Sequence, residues 1–306
     1  IYGAWQIMEI EKARQVFEAH INEQVEHIER CSTGIGNYVF VVATPFSKYI
    51  LRCSKQSGAY NESIHWLTKL QVCNIPIPKI ISHGQHEEYE YIVLTYAEGK
   101  DIGEIYIKLT DEEKKQIAKE VMVIQRNVSK LVVDVSSEWS WSAFVTDMLD
   151  RAYELISINN YFDVAKVVEV RNIQKEMQTY FFSIRPITYL DDISTKNLLI
   201  QNGHVSGVID IDWIGIGDML TFVALTKVAL LNMEFDTKYV DYLLDELNPS
   251  AEQYRAFIFY CLLFCVDFMG ERGNQFLDKI VPVNQQIIDR LNRLYDEFMV
   301  QWAECK

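Results

Sequence analysis

The 306-residue sequence predicts an α+β chain of two lobes, a β-rich N-terminal lobe over residues 1–97 and a mostly helical C-terminal lobe over 98–306. Three observations carry that prediction. β-branched and aromatic runs concentrate in the first hundred residues, apolar residues recur at helical spacing from Asp111 onward, and Glu98-Gly99-Lys100 breaks the pattern between them. With 49% hydrophobic and 12% aromatic residues and no low-complexity tract, the chain is able to bury large cores.

Taken in order, residues 9–29 alternate charged and apolar positions, with Ile10, Ala13, Val16 and Phe17 on one side, and read as one amphipathic helix. Two strand-like runs follow, Tyr38–Ala43 and Lys48–Cys53, separated by a turn containing Pro45. Residues 61–70 read as a helix with Ile64, Leu67 and Leu70 inward. After Pro76 and Pro78 come two further strand-like runs, 78–82 and 89–96. The second lobe reads as helices over 111–130, 141–158, 161–182, 219–232, 237–246, 251–270 and 284–303. One pair of short β-type runs interrupts them, around 198–200 and 205–209. Asn202-Gly203 between those runs is a hairpin signal, because both residues accept the positive φ that such a turn needs. No internal repeat is visible.

Charge is unevenly placed. The chain carries 29 Lys+Arg against 43 Asp+Glu, a net −14, of which −2 falls in residues 1–97 and −12 in residues 98–306. An acidic second lobe excludes a nucleic-acid or anionic-membrane surface there and suits a cationic small molecule or a metal-bound ligand, with solubility as the plainer explanation. Six scattered cysteines form no Cys-x-x-Cys pair and read as reduced thiols rather than a zinc site. No run of about 18 apolar residues appears. The expectation is a soluble, cytoplasmic protein with neither nucleic-acid nor membrane partners and its oligomeric state open.

The chemistry concentrates between Thr188 and Asp212. Asp192 and Asn197 lie in a polar turn before the hairpin, and Asp210 lies in another after it, with Asp212 two residues on. A hairpin brings its ends together, so Asn197 and Asp210 are expected to face one another. Either carboxylate alone reads as a turn or cap residue. Together with the amide they make a hard-oxygen set of the kind that holds Mg²⁺ against phosphate oxygens. In the first lobe, Thr33-Gly34-Ile35-Gly36-Asn37 falls between a helix and a strand. Its glycines would let backbone N–H groups approach phosphates, although such a pair alone is also a simple turn.

Asp192-x-x-x-x-Asn197 with Asp210 thirteen residues later, closed by Gly215-Ile216-Gly217-Asp218, resembles the catalytic loop and metal segment of protein-kinase-like folds. More narrowly, it is similar to the aminoglycoside phosphotransferase/choline kinase group, and the resemblance runs over roughly 30–300. It implies Asp192 as the catalytic residue, Asn197 and Asp210 as Mg²⁺ ligands, and ATP or GTP as phosphoryl donor. Gly34, Gly36 and Asn37 then match the nucleotide loop, and Arg52 takes the place of the phosphate-pairing Lys. Arg keeps the charge and forks to two oxygens. Glu62, opening the next helix, matches the acid that orients that cation, while Thr95 and Ala97 match the hinge that meets the nucleobase through backbone groups.

The sequence departs from the group's pattern in three places. Leu190 stands where the loop His is usual, Asp191 where a Gly is usual, and Asp212 where protein kinases carry the Gly of Asp-Phe-Gly. Asp191 is expected to face solvent, and Asp212 to touch metal waters or substrate. The implied reaction is transfer of a γ-phosphoryl group to a hydroxyl of a small, cationic acceptor such as an aminoglycoside. Asp267 and Glu271 are available for the acceptor's amines, although each is also consistent with a solvated helix face. Trp139 and Trp141 either wall that pocket or pack in the core. The alternatives are a pseudokinase-like nucleotide-binding module, or a kinase for choline, ethanolamine, a macrolide or a metabolic sugar. A two-carboxylate glycosidase leaves the first lobe without a role.

Overall fold

The structure, a computed structural model, describes residues 10–31, 38–276 and 279–305. Chain contacts divide it into two compact units, residues 1–98 with 207–213 and residues 99–206 with 214–306.

In the first unit, α1 (Ile10–His20) is followed by strands β1 (His27–Arg30), β2 (Tyr38–Ala43) and β3 (Lys48–Ser54), helix α2 (Asn61–Leu70), and strands β4 (Ile80–His86) and β5 (Tyr89–Thr95). The five strands form an antiparallel sheet in the order β1-β2-β3-β5-β4. Side chains alternate across a strand, so Tyr49, Leu51 and Cys53 of β3 enter one core with Phe40, Val42, Tyr91 and Val93. Ala13, Val16 and Phe17 of α1, spaced to lie on one helix face, close that core. The single helix expected over 9–29 is therefore half right. It ends at His20, and 27–30 is an edge strand, because pairing with β2 gives those backbone groups partners that outweigh the helix preference of Glu and Arg. Residues 207–213, expected in the helical lobe, belong with this sheet unit, where the Val208 N–H donates to the Pro76 carbonyl at 2.7 Å.

The second unit opens on β6 (Lys100–Asp101) and the short α3 (Ile102–Ile105), then α4 (Asp111–Val128), α5 (Trp141–Asn159), α6 (Ala165–Glu176) and α7 (Gln178–Ser183). The expected helix over 161–182 is interrupted at Met177. Strand β7 (Thr188–Tyr189), the hairpin strands β8 (Leu198–Gln201) and β9 (His204–Val208), and β10 (Gly215–Ile216) precede α8 (Leu220–Asn232) and α9 (Lys238–Leu247). The long α10 (Ala251–Glu271), the two-residue strands β11 (Gln275–Phe276) and β12 (Lys279–Ile280), and α11 (Gln285–Glu304) complete the chain. The Asn202-Gly203 turn has φ of 52° and 76°, the left-handed pair its sequence predicts. α10 is long and apolar enough to cross a membrane, but it packs against α5, α8 and α11 and is buried around most of its circumference. Its hydrophobicity is therefore that of a core helix.

Candidate active site

The residues singled out above are divided between the two units. In the first, β3 is a central strand. Its alternation turns Arg52 to the face opposite Leu51 and Cys53, where the side chain is only 11% exposed. A buried guanidinium demands partners, and Arg52 finds two carboxylates on residues 207–213. Its Nη1 and Nη2 donate to Oδ1 and Oδ2 of Asp212 at 3.0 and 2.8 Å, a forked pair, and Nη1 lies 3.6 Å from Oδ1 of Asp210. Ser63 Oγ donates to the same Asp212 Oδ1, and the guanidinium carbon sits 5.3 Å from the Tyr60 ring centroid. Burial opposes the Arg52 charge, but the bonds and charge of Asp212, then Asp210, hold its pKa above the ordinary value. Burial likewise works against the Asp212 carboxylate, yet the Arg52 bonds and charge and the Ser63 hydroxyl keep it below the ordinary range. Asp210 itself has a left-handed φ of 57°, a conformation that Asp and Asn tolerate best among non-glycine residues.

This geometry corrects the expected Arg52–Glu62 pair. Glu62 is exposed in the first turn of α2, and the carboxylates paired with Arg52 are Asp212 and Asp210. Adjacent helical residues point about 100° apart. The buried face of α2 carries Ser63, Trp66, Leu67 and Leu70, so Ser63 rather than Glu62 meets the Arg52–Asp212 pair. Thr95 ends β5, with its N–H donating to the Lys79 carbonyl at 3.0 Å and its Oγ1 accepting from the Lys79 N–H at 2.9 Å. Thr95 and Ala97 are both half-buried. Gly34, Gly36 and Asn37 lie outside the described residues.

In the second unit, β7 pairs with β10 and delivers the chain into the loop that carries Asp192. The amide NH₂ of Asn197 donates to the Asp192 carbonyl at 3.0 Å and to Asp192 Oδ2 at 3.1 Å, closing a ring across the five-residue spacing. Asn197 holds a φ of 65°. Burial raises the Asp192 pKa above its ordinary value, with Lys196 and the Asn197 amide opposing. Asp191, expected to face solvent, is instead half-buried, and burial pushes its carboxyl up to about 6, with the neighbouring Asp192 charge adding to the shift.

Sequence reasoning missed the groups that hold this loop from outside. Gln125 of α4 is fully buried. Its Oε1 accepts from the Leu190 N–H at 2.9 Å, and its Nε2 donates to the Leu190 carbonyl at 2.8 Å. The Gly103 N–H donates to the Thr195 carbonyl at 3.0 Å, and an added Cβ at Gly103 would meet that same carbonyl. Burial raises the pKa of the half-buried Asp101 carboxyl, with the Asn197 backbone opposing. The one signal available in sequence for Gln125 is a polar residue within the apolar stripe Val121, Met122, Ile124 and Val128.

The acceptor candidates are also placed. Asp267 is buried, and its Oδ1 accepts from Arg151 Nη2 at 2.5 Å, so its charge is matched inside the unit rather than presented to a ligand. Glu271, one turn later, is half-buried. Burial raises its pKa, Asp267 adds to the rise, and Arg272, Arg151 and Lys196 oppose it. Trp141 is a core residue whose Nε1–H donates to Tyr260 Oη at 2.8 Å, which removes it from any pocket wall. Its ring lies over Gly217, which leaves no room for a side chain there. Asp218, which closes the Gly215–Asp218 segment, is buried and accepts from Tyr180 and Tyr260 hydroxyls at 2.7 and 2.8 Å, a structural role.

The sequence matches the model of the phosphotransferase enzyme family over residues 27–257. No curated protein matches. Among solved structures, ADP-bound aminoglycoside phosphotransferase APH(2'')-Ib is similar at 15% identity and TM-score 0.64, over 94% of this chain and 97% of that one. The streptomycin–ATP complex of APH(2'')-IIa gives 15% and 0.64, over 97% and 98%. A thermostable mutant of APH(4)-Ia with ADP and hygromycin B gives 14% and 0.63, over 96% and 97%. The α+β fold is thus protein-kinase-like, with a β-sheet N-terminal part and a helical C-terminal part.

Proposed function

Because this chain belongs to the phosphotransferase enzyme family, we propose that it is a small-molecule kinase. It would transfer the γ-phosphoryl group of ATP or GTP to a hydroxyl of a small, cationic acceptor such as an aminoglycoside. The observation that carries the reading is the closed Asp192–Asn197 ring, which aims one carboxylate and orients one amide in the loop spacing that phosphoryl transfer uses. Asp192 orients the acceptor hydroxyl and takes its proton as the new O–P bond forms and the bond to the β-phosphate oxygen breaks. Its raised pKa moves the carboxylate toward the basicity that this proton transfer favours.

Taken singly, Asn197 and Asp210 each offer a hard oxygen of the kind Mg²⁺ takes. Asn197 commits its NH₂ end to Asp192 and keeps Oδ1 as an acceptor, and Asp210 supplies a carboxylate whose side chain is more than half exposed. When bound, Mg²⁺ neutralises charge on the phosphate oxygens. Arg52 spends one N–H of each terminal nitrogen on Asp212, and the second N–H of each is the donor for phosphate. In the hinge, the Thr95 N–H is already used, so the Thr95 carbonyl and the Ala97 backbone are the groups for a nucleobase. Glu271, rather than the paired Asp267, is the acid suited to an acceptor amine.

The test is nucleotide consumption with Mg-ATP and Mg-GTP against aminoglycosides, macrolides, choline, ethanolamine and sugar alcohols. Asp192→Ala is expected to lower the acceptor-stimulated turnover by about a hundredfold or more while nucleotide still binds. Wild-type turnover in that variant refutes the assignment. A second reading, a nucleotide-binding module without turnover, draws support from Arg52 lying against both Asp212 and Asp210. Mg-nucleotide binding with no acceptor above background across the panel would select it.

A further inference from the structure

We propose that Gln125 is the positioning residue of the candidate catalytic loop. Its buried carboxamide sets the direction in which the chain enters Asp191 and Asp192. The inference rests on the phosphotransfer reading only for Asp192's role.

The geometry is a two-point hold. A residue's N–H and C=O belong to the two peptide planes on either side of its Cα, so engaging both fixes φ and ψ together. Gln125 engages both at Leu190, accepting at 2.9 Å and donating at 2.8 Å. The assignment of its oxygen and nitrogen ends follows from the partners, since an N–H requires the oxygen and a carbonyl the NH₂. Leu190 is 2% exposed and Gln125 0%, so neither backbone group has water as a substitute. The Leu190 side chain offers no donor or acceptor of its own.

Two residues earlier the same helix end holds the chain again, with Thr188 Oγ1 donating to the Val128 carbonyl at 2.7 Å. Asp192 is then two residues from a fixed backbone on one side. On the other it is closed by Asn197, whose side-chain NH₂ donates to the Asp192 carbonyl and to Asp192 Oδ2. A buried amide costs desolvation that a Leu or Met of similar size would not. What it provides in return is a defined loop entry rather than extra stability.

Gln125→Met keeps the volume and removes both bonds. Amide hydrogen exchange on the whole protein is expected to rise about tenfold or more over 188–192, while peptides of Ala251–Glu271 keep wild-type rates. For Mg-ATP or Mg-GTP hydrolysis, kcat should fall about tenfold to a hundredfold with KM for nucleotide within about twofold, since misplacing a reacting group by an ångström costs that much. Wild-type exchange over 188–192, or a loss that appears wholly in KM, overturns the proposal. So does exchange that rises uniformly across the chain. If Gln125→Met fails to fold, Gln125→Leu removes the same two bonds with a different apolar shape and should show the same local rise over 188–192. Wild-type values there overturn the proposal equally. If the wild-type protein consumes neither nucleotide, the phosphotransfer reading fails by itself, and the exchange result alone decides the role of Gln125.

Discussion

Replacing Asp212 by Asn tests whether the Arg52 charge is held by the partner the structure gives it. The substitution keeps shape but removes the carboxylate from an Arg52 side chain that is 11% exposed. Two hydrogen bonds between opposite charges, at 3.0 and 2.8 Å, become at most one, from the guanidinium to an uncharged amide oxygen, and the new NH₂ group faces a donor. Such bonds contribute about 1.5–3 kcal/mol each, and the gross Coulomb attraction at this separation is roughly 4 kcal/mol at an effective dielectric near 20. Two discounts apply. The Asp212 side chain is 46% exposed and thus screened by solvent, and Asp210 remains 3.6 Å from Nη1 as a substitute carboxylate. The net expectation is a destabilisation of the first unit by about 1.5–3 kcal/mol. A double-mutant cycle with Arg52→Met, read by urea melts and by hydrogen exchange over 48–54 and 207–213, isolates the coupling. A coupling below about 0.5 kcal/mol with unchanged m-values would refute the argument.

Glu62→Gln is the matched control. Because Glu62 is exposed and unconnected to Arg52, its loss should change stability by no more than about 0.5 kcal/mol and Mg-ATP affinity by less than about twofold. A tenfold loss of affinity, measured by calorimetry, would restore it as the partner. Asp191→Asn should stabilise the protein at neutral pH. A carboxyl whose folded pKa is raised from 3.8 to about 6 binds more protons folded than unfolded between those values, so stability falls as pH rises through that window. The gain over wild type should be about 1–3 kcal/mol above pH 7 and shrink toward zero near pH 4, and a gain independent of pH would contradict the buried placement of Asp191. Gly217→Ala combines a φ of +142° with a Cβ that overlaps the Trp141 ring, and should cost about 3 kcal/mol or more in thermal or urea melts. A variant within about 1 kcal/mol of wild type would show that the Trp141 ring is free to move.

By itself, the sequence determined what depends on local pattern. The long helices α4, α5 and α8–α11 fall within two residues of their predicted ends, because apolar spacing and caps such as Thr110–Glu113 and Ser250–Gln253 are written in adjacent residues. The Asp192–Asn197 spacing was equally legible, since one loop closes on itself. Only the tertiary structure decided what depends on residues far apart in the chain. The edge strand at 27–30 exists because β2 supplies its hydrogen bonds, and nothing in Glu, His and Arg announces that. Arg52 required a carboxylate, but Asp212 lies 160 residues away, and the nearer Glu62 turns outward on its helix. Gln125 reads in sequence as one polar residue in an amphipathic helix. Its function appears only when the fold brings it against the backbone of Leu190, where burial makes both hydrogen bonds obligatory.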